Sequence, residues 1–285
     1  MGRAFSGNQG LLTELAQTSL ASSTVAIPGV GGTASTLAHL LARMGVGQFI
    51  IADPGQFDLE HFNHQFSAKC STVRRSKAEV IRKELLDINP TANVREINDS
   101  IGSKNIAEFL RGASVVVDCL SVSAVTFRRV LYPQAEKKNI PVVLSVPIGH
   151  SCGTLVFAQG GMSFEKYFDF SEDDTDLERI LKFAVGLTPK GLHRKYMGKK
   201  GAKSRGASSP LGSNCATLSA AGIVIRLLLA ESVQLAPYFR QWDAFTGQLR
   251  TGKLSKGNRS LQQRLRLWLR RKRQHGEPSF SSKPE

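Results

Sequence analysis

The chain has 285 residues, 41% of them hydrophobic, enough to bury one large α/β core with appendages or two smaller ones. Lys and Arg number 38 against 23 Asp and Glu, a net charge of +15. This is the composition of a soluble globular protein and speaks against a membrane-spanning one. The apolar stretch from Ala220 is too short for a bilayer and contains Arg226, so it reads as a core or interface helix.

The N-terminus lacks a basic start followed by an apolar run, so no secretory signal is expected. Cys70, Cys119, Cys152 and Cys215 are widely separated and form no Cys-x-x-Cys, which predicts a reducing, cytoplasmic setting and no zinc site. Cys119 is expected in the core, and Cys152 and Cys215 nearer loop or helix-start positions. No local base marks either of these two as reactive.

Taken in chain order, apolar runs predict strands over 24–28, 48–52, 93–97, 114–118 and 141–146. They alternate with helices over 33–44, 76–87, 104–110 and 124–138. This alternation predicts an α/β fold with a doubly wound, mostly parallel, Rossmann-like sheet. Between the first strand and helix stand Gly29, Gly31 and Gly32, and Asp53 closes the unit. Glycines let the backbone approach phosphate oxygens, the helix N-terminus offers free N–H groups, and an acid about 20 residues on accepts from ribose hydroxyls. The spacing alone leaves NAD, FAD and ATP open. In such a sheet the ligand lies beyond the carboxyl ends of the strands, where Gly29, Asp53 and Asp118 converge, although Asp118 reads equally well as a strand-end cap.

Charge divides the remainder. Residues 165–178 hold seven acids against one lysine, an acidic loop or helix start, whereas residues 190–206 hold seven bases, no acid and several glycines, a mobile linker pattern. From Arg250 to Arg273 there are ten bases and no acid, with Leu261, Leu265 and Trp268 at helical spacing. That basic amphipathic helix is expected to dock on the sheet domain through its Leu-Trp stripe, the alternatives being an anionic membrane or nucleic acid. Residues 275–285 read as disordered. The organisation expected is a nucleotide-binding domain over 1–160, its charged remainder over 161–249, and a basic extension over 250–285.

Asp53-Pro-Gly-Gln-Phe-Asp-Leu-Glu-His-Phe-Asn-His-Gln65, followed by Lys77 at a helix start and Asp87-Ile-Asn-Pro90, resembles the ThiF/MoeB/E1-like family. Gly160–Phe168, Gly186–His193 and Ala220–Gly222 are similar to the ThiF branch found with nitroreductase-like domains. The resemblance implies ATP-dependent adenylation of a C-terminal carboxylate of a peptide or ubiquitin-like protein, by a homodimer or a heterodimer with another E1-like chain. It also implies that Gly29, Gly31, Gly32, Asp53, Gln65, Lys77 and Asp118 hold the nucleotide, with Lys77 and His64 in catalytic positions.

The match is uneven. Gly55, His61 and His64 stand where the family has an acid, an asparagine and an arginine, Ser121 where it has its magnesium-binding acid, and Gly7 where an arginine reaches across the dimer. Bound magnesium is therefore doubtful, and turnover is expected to be impaired, because cations at the leaving pyrophosphate carry much of such a rate. His61 and His64 either take over part of the phosphate contact or simply pack on a loop. Two functions follow: an adenylyltransferase with altered chemistry, or a non-catalytic homologue that binds nucleotide or peptide and supports an active partner. A dehydrogenase is a distant third, since nothing after Asp53 supplies a hydride-transfer site.

Overall fold

The computed structural model describes residues 4–195 and 209–275. One eight-stranded sheet organises it, in the order β3-β2-β1-β4-β5-β6-β7-β8. Strands β1 (Thr24–Pro28), β2 (Gln48–Ala52), β3 (Asn93–Ile97), β4 (Val115–Asp118) and β5 (Val142–Ile148) pair in parallel. They fall on the expected runs, as do helices α2 (Gly32–Arg43), α3 (Lys77–Ile88), α4 (Ile106–Phe109) and α5 (Val125–Lys137), within a few residues. An additional helix, α1 (Glu14–Ser22), precedes β1. Three further strands, β6 (Ser151–Phe157), β7 (Tyr238–Asp243) and β8 (Gln248–Lys253), extend the sheet in antiparallel fashion.

Alternation along each strand builds two cores. Val25, Ile27, Phe49, Ile51, Val115 and Val117 face one side, with Leu37 and Leu41 of α2 and Ile81 and Leu85 of α3. Ala26, Ile50, Val116, Val142 and Leu144 face the other, under Leu131 of α5 and a group of aromatic rings. That second layer is completed by α6 (Phe164–Phe168) and α7 (Asp176–Leu187). The acidic segment ends where Thr175 and Glu178 form a capping box for α7, which places its carboxylates at the positive end of that helix. On the first face α8 (Pro210–Leu228), started by the Ser209 hydroxyl and Pro210, lies on β5, β6 and α2. Although α8 is long and apolar enough to cross a bilayer, Gly212 to Val224 are mostly buried against protein, as expected for a core helix.

Asp118, at the end of β4, is fully buried. Arg128 of α5, equally buried, grips it with Nε and Nη2 at 2.7 and 3.0 Å, and Tyr132 Oη and the Leu120 N–H also donate to it. The same guanidinium donates to the Leu120 and Ser121 carbonyls and lies 4.3 Å from the Phe183 ring centroid on α7. Its charge is therefore fully partnered.

The C-terminal helix α9 (Leu261–His275) docks, but not through the expected stripe. Gln263 is buried and donates to the Val185 carbonyl at 2.9 Å, Leu267 is buried, and Arg266 donates to the Pro189 carbonyl, whereas Leu261, Leu265 and Trp268 face outward. The reason is that the last turn of α7 and the segment just after it present open carbonyls, at Val185 and Pro189, which a glutamine and an arginine satisfy and leucines cannot. Residues 196–208, most of the basic linker, and residues 276–285 lie outside the described part of the chain.

Two stability tests follow from these contacts. Arg128→Met strands a buried carboxylate and is expected to cost about 3–5 kcal/mol in urea unfolding, while adding Asp118→Leu recovers most of the loss. His193, buried just after α7 with no partner for Nδ1 among the described residues, has its pKa lowered to about 4, first by burial and then by Arg270 and Arg194. Below pH 6.5 the unfolded chain takes up a proton that the folded chain refuses. Stability is therefore full above that pH and falls by up to about 3 kcal/mol as pH drops towards 4. His193→Gln should flatten this acid limb.

Candidate nucleotide site

At the carboxyl end of β1 the chain turns through Gly29 at φ +85°, a left-handed geometry that favours glycine. A Cβ there would lie 2.5 Å from Leu120 Cδ2. Gly31 then caps α2 without a side chain, so the first N–H groups of this twelve-residue helix have no side-chain acceptor and face the end of the sheet. Gly32 is pressed against the His64 carbonyl, which seats the 57–65 loop on the helix start. Gln65, also buried, brings its Nε2 within 3.9 Å of where a Gly31 Cβ would be, and its Oε1 has no partner among the described residues.

Asp53 follows β2. Its Oδ2 accepts the Val30 N–H at 2.9 Å and its Oδ1 the Gly55 N–H at 2.8 Å, so one carboxylate holds both the glycine turn and the loop after it. Gly55 in turn accepts the Lys77 N–H, fixing the start of α3 beside that loop. Asp53 is thus an anchor as well as the acid nearest the turn.

Lys77 Nζ stands 3.4 Å from His61 Nε2. His61 Nδ1 accepts the Asp58 N–H at 2.9 Å, which places the imidazole proton on Nε2. Two donors therefore converge, and the exposed Glu60 carboxylate lies 3.7 Å from Nε2. Donors aimed at a common point are what an anionic oxygen requires. Burial and then Lys77 lower the His61 pKa; burial, His61 and Lys77 lower that of His64, whose Nδ1 lies 2.5 Å from Asn63 Oδ1. Both imidazoles are accordingly neutral near pH 7 in the absence of an anion.

The structure thus brings Gly29, Gly31, Gly32, Asp53, Gln65, Lys77, His61 and His64 to one end of the sheet. It gives Asp118 a different role: its carboxylate is spent on Arg128, Tyr132 and Leu120, and it is buried beneath the cleft rather than offered to a nucleotide. Ser121, in the position of the family's metal ligand, bonds Ser123 Oγ at 2.7 Å. A triphosphate fits the donors present. A magnesium ion would meet the Ser121 hydroxyl there but no free carboxylate, since that of Asp118 is consumed. Asn8, next to Gly7, donates to the Met44 carbonyl at the far end of α2, so this segment lies away from its own cradle.

Cys152 and Cys215 are in a strand and a helix rather than in loops, buried with sulfurs 3.6 Å apart. The Lys77–His61 pairing was not foreseen. The available signal was Asp58, three residues before His61, which forms a reciprocal cap and orients that ring.

Residues 5–263 match the ThiF family. The chain belongs to that family. It is 27% identical over 239 residues to the tRNA threonylcarbamoyladenosine dehydratase of Bacillus subtilis (strain 168), covering 77% of this chain and 87% of that protein. Over 104 residues it is 36% identical to the vegetative HesA protein of Trichormus variabilis, a match spanning 36% of this chain and 39% of HesA. Among solved structures, E. coli MccB with AMPCPP and MccA superposes with a TM-score of 0.66 at 17% identity, covering 89% of this chain and 72% of that one. PaaA gives 0.64 at 18% identity, with 84% and 75% covered. These likenesses establish an E1-like fold.

Asp53→Ala removes the acceptor of two backbone donors. It is expected to lower the unfolding free energy by about 1.5–3 kcal/mol for each bond lost, whereas Asp53→Asn should retain part of this, as urea titration would show.

Proposed function

We propose that this protein binds an adenine nucleotide and activates a substrate carboxylate as an acyl-adenylate, with phosphate-binding machinery reduced relative to the family pattern. The observation that carries this reading is the convergence of Lys77 Nζ and His61 Nε2–H beside the glycine turn. Bound ATP supplies an electrophilic α-phosphorus for the carboxylate. Lys77, His61 and the Gln65 amide would hold its phosphates, the N-terminus of α2 would receive them, and Asp53 would keep the turn in place.

Adenylate chemistry is favoured over hydride transfer by ThiF membership together with the donor cluster after Asp53. The carboxylate proposed is the C-terminus of a peptide or ubiquitin-like protein, supported by the fold shared with MccB bound to MccA. The name of the B. subtilis relative adds a second candidate, a carboxylate carried on a tRNA nucleoside, and the net charge of +15 suits that polyanion. Leu59, Phe62 and Phe66 are exposed apolar side chains on the segment that carries His61 and His64, which supports assembly with a second E1-like chain over the site.

One preorganised electrostatic contact is worth about 10²–10³ in rate, so replacement of the family's acid and arginine by Ser121 and His64 predicts very slow ATP–pyrophosphate exchange. His64→Arg with Ser121→Asp should raise it. Robust exchange by the unmodified protein would overturn the reduced-activity reading; exchange appearing only with an intact-motif homologue would assign this chain the supporting half of a heterodimer. Phosphate binding should also raise the depressed His61 pKa, so nucleotide affinity by calorimetry is expected to increase about three- to tenfold from pH of about 8 to about 6, and this rise should be smaller in His61→Gln.

A further inference from the structure

Helix α9 has a contact surface on two opposite sides. One is anchored on α7 and the turn after it by Gln263, Arg266 and Leu267. On a helical projection Leu261, Leu265, Trp268 and Leu269 share an arc of about 100° opposite that anchor. They are 84, 56, 49 and 45% exposed. The water-facing side of a docked helix is ordinarily polar. Here three leucines and a tryptophan form a row, and all but Leu261 lie beyond the span that matches the family.

The charge around that row is of one sign. The sequence of α9 contains six bases and no acid. Arg264 and Arg271 border the row on one side, and Lys272 Nζ lies 4.3 Å from the Trp268 ring centroid. Glu178, which reaches the helix from α7, is paired with Arg271 at 3.1 Å. We propose that α9 docks this protein on an anionic lipid surface, with Leu261, Leu265, Trp268 and Leu269 at the boundary between headgroups and acyl chains and the flanking bases on lipid phosphates. A second copy is a poor occupant, because face-to-face α9 helices would set Arg264 and Lys272 against the same bases of the other copy. RNA would engage the guanidiniums yet leave the leucines in water.

The test is flotation of the full chain with vesicles of phosphatidylcholine alone or with about one-third phosphatidylglycerol, in about 0.1 M and about 0.5 M salt. Binding to the anionic vesicles, weakened by salt, is expected, with little on the neutral ones. Leu265→Glu with Trp268→Glu should abolish it without changing melting temperature or nucleotide affinity, since both side chains point away from the fold. Arg264→Ala should weaken it about fivefold. Should the double variant fold poorly, Trp268→Phe gives a second readout: the blue shift of tryptophan emission on vesicle addition should disappear. Failure to bind anionic vesicles, equal binding to neutral ones, retention on tRNA in place of vesicles, or a halved solution mass in the double variant would each overturn the proposal. None of these readouts depends on adenylation.

Discussion

The buried Asp118–Arg128 pair is the constraint on which the rest of the structure depends. A carboxylate and a guanidinium with no solvent access are tolerable only when every donor and acceptor is used, and here they are used by four different parts of the chain. Asp118 holds the Leu120 N–H at the end of β4, and Leu120 fills the space that a side chain at Gly29 would need. Arg128 holds the carbonyls of Leu120 and Ser121 and stacks on Phe183. The nucleotide turn, the loop after β4 and the α7 layer are thereby linked through one ion pair.

The shape of the site rests on backbone held by buried groups. The backbone elements that approach a phosphate, Gly29 to Gly32 and the start of α2, are set by the sheet and by Asp53 and do not depend on the side chains at 61, 64 or 121. Positions 64 and 121 contribute to that frame through their carbonyls rather than their side chains. His64 is an imidazole that stays neutral near pH 7 until an anion arrives, so its electrostatic contribution responds to pH and ligand.

The antiparallel half of the sheet serves a different end. Strands β6 to β8 carry α8 on one face and, through α7, the aromatic layer and α9 on the other. Acidic groups before and at the start of α7 are matched there by bases, as in Arg129 with Glu165 and Glu172 and in Lys182 with Asp174, so much of that charge is consumed internally. The excess positive charge that remains lies toward the C-terminus, where α9 adds bases without acids.

Features governed by local spacing were legible in the sequence. The continuous apolar runs of β1, β2, β4 and β5, the helices between them, the glycine turn and Asp53 follow from short-range sterics and hydrophobic patterning, and the motif from Asp53 to Gln65 was sufficient for the family. The role of Asp118 was not legible, because Arg128 lies ten residues on and only the crossing of α5 over the end of β4 brings the two together. The stripe of α9 was visible as a pattern, but its direction was not. Periodicity shows that a helix has an apolar side, whereas the open carbonyls of Val185 and Pro189 decided that Gln263 and Arg266 would face inward. The pairing of Lys77 with His61 likewise required the loop to be folded back on α3. The sequence by itself determined the parallel strands β1 to β5, the helices between them and the glycine turn; tertiary packing decided the antiparallel extension and which charges are exposed or buried, since partners far apart in the chain set the cost of burying each one.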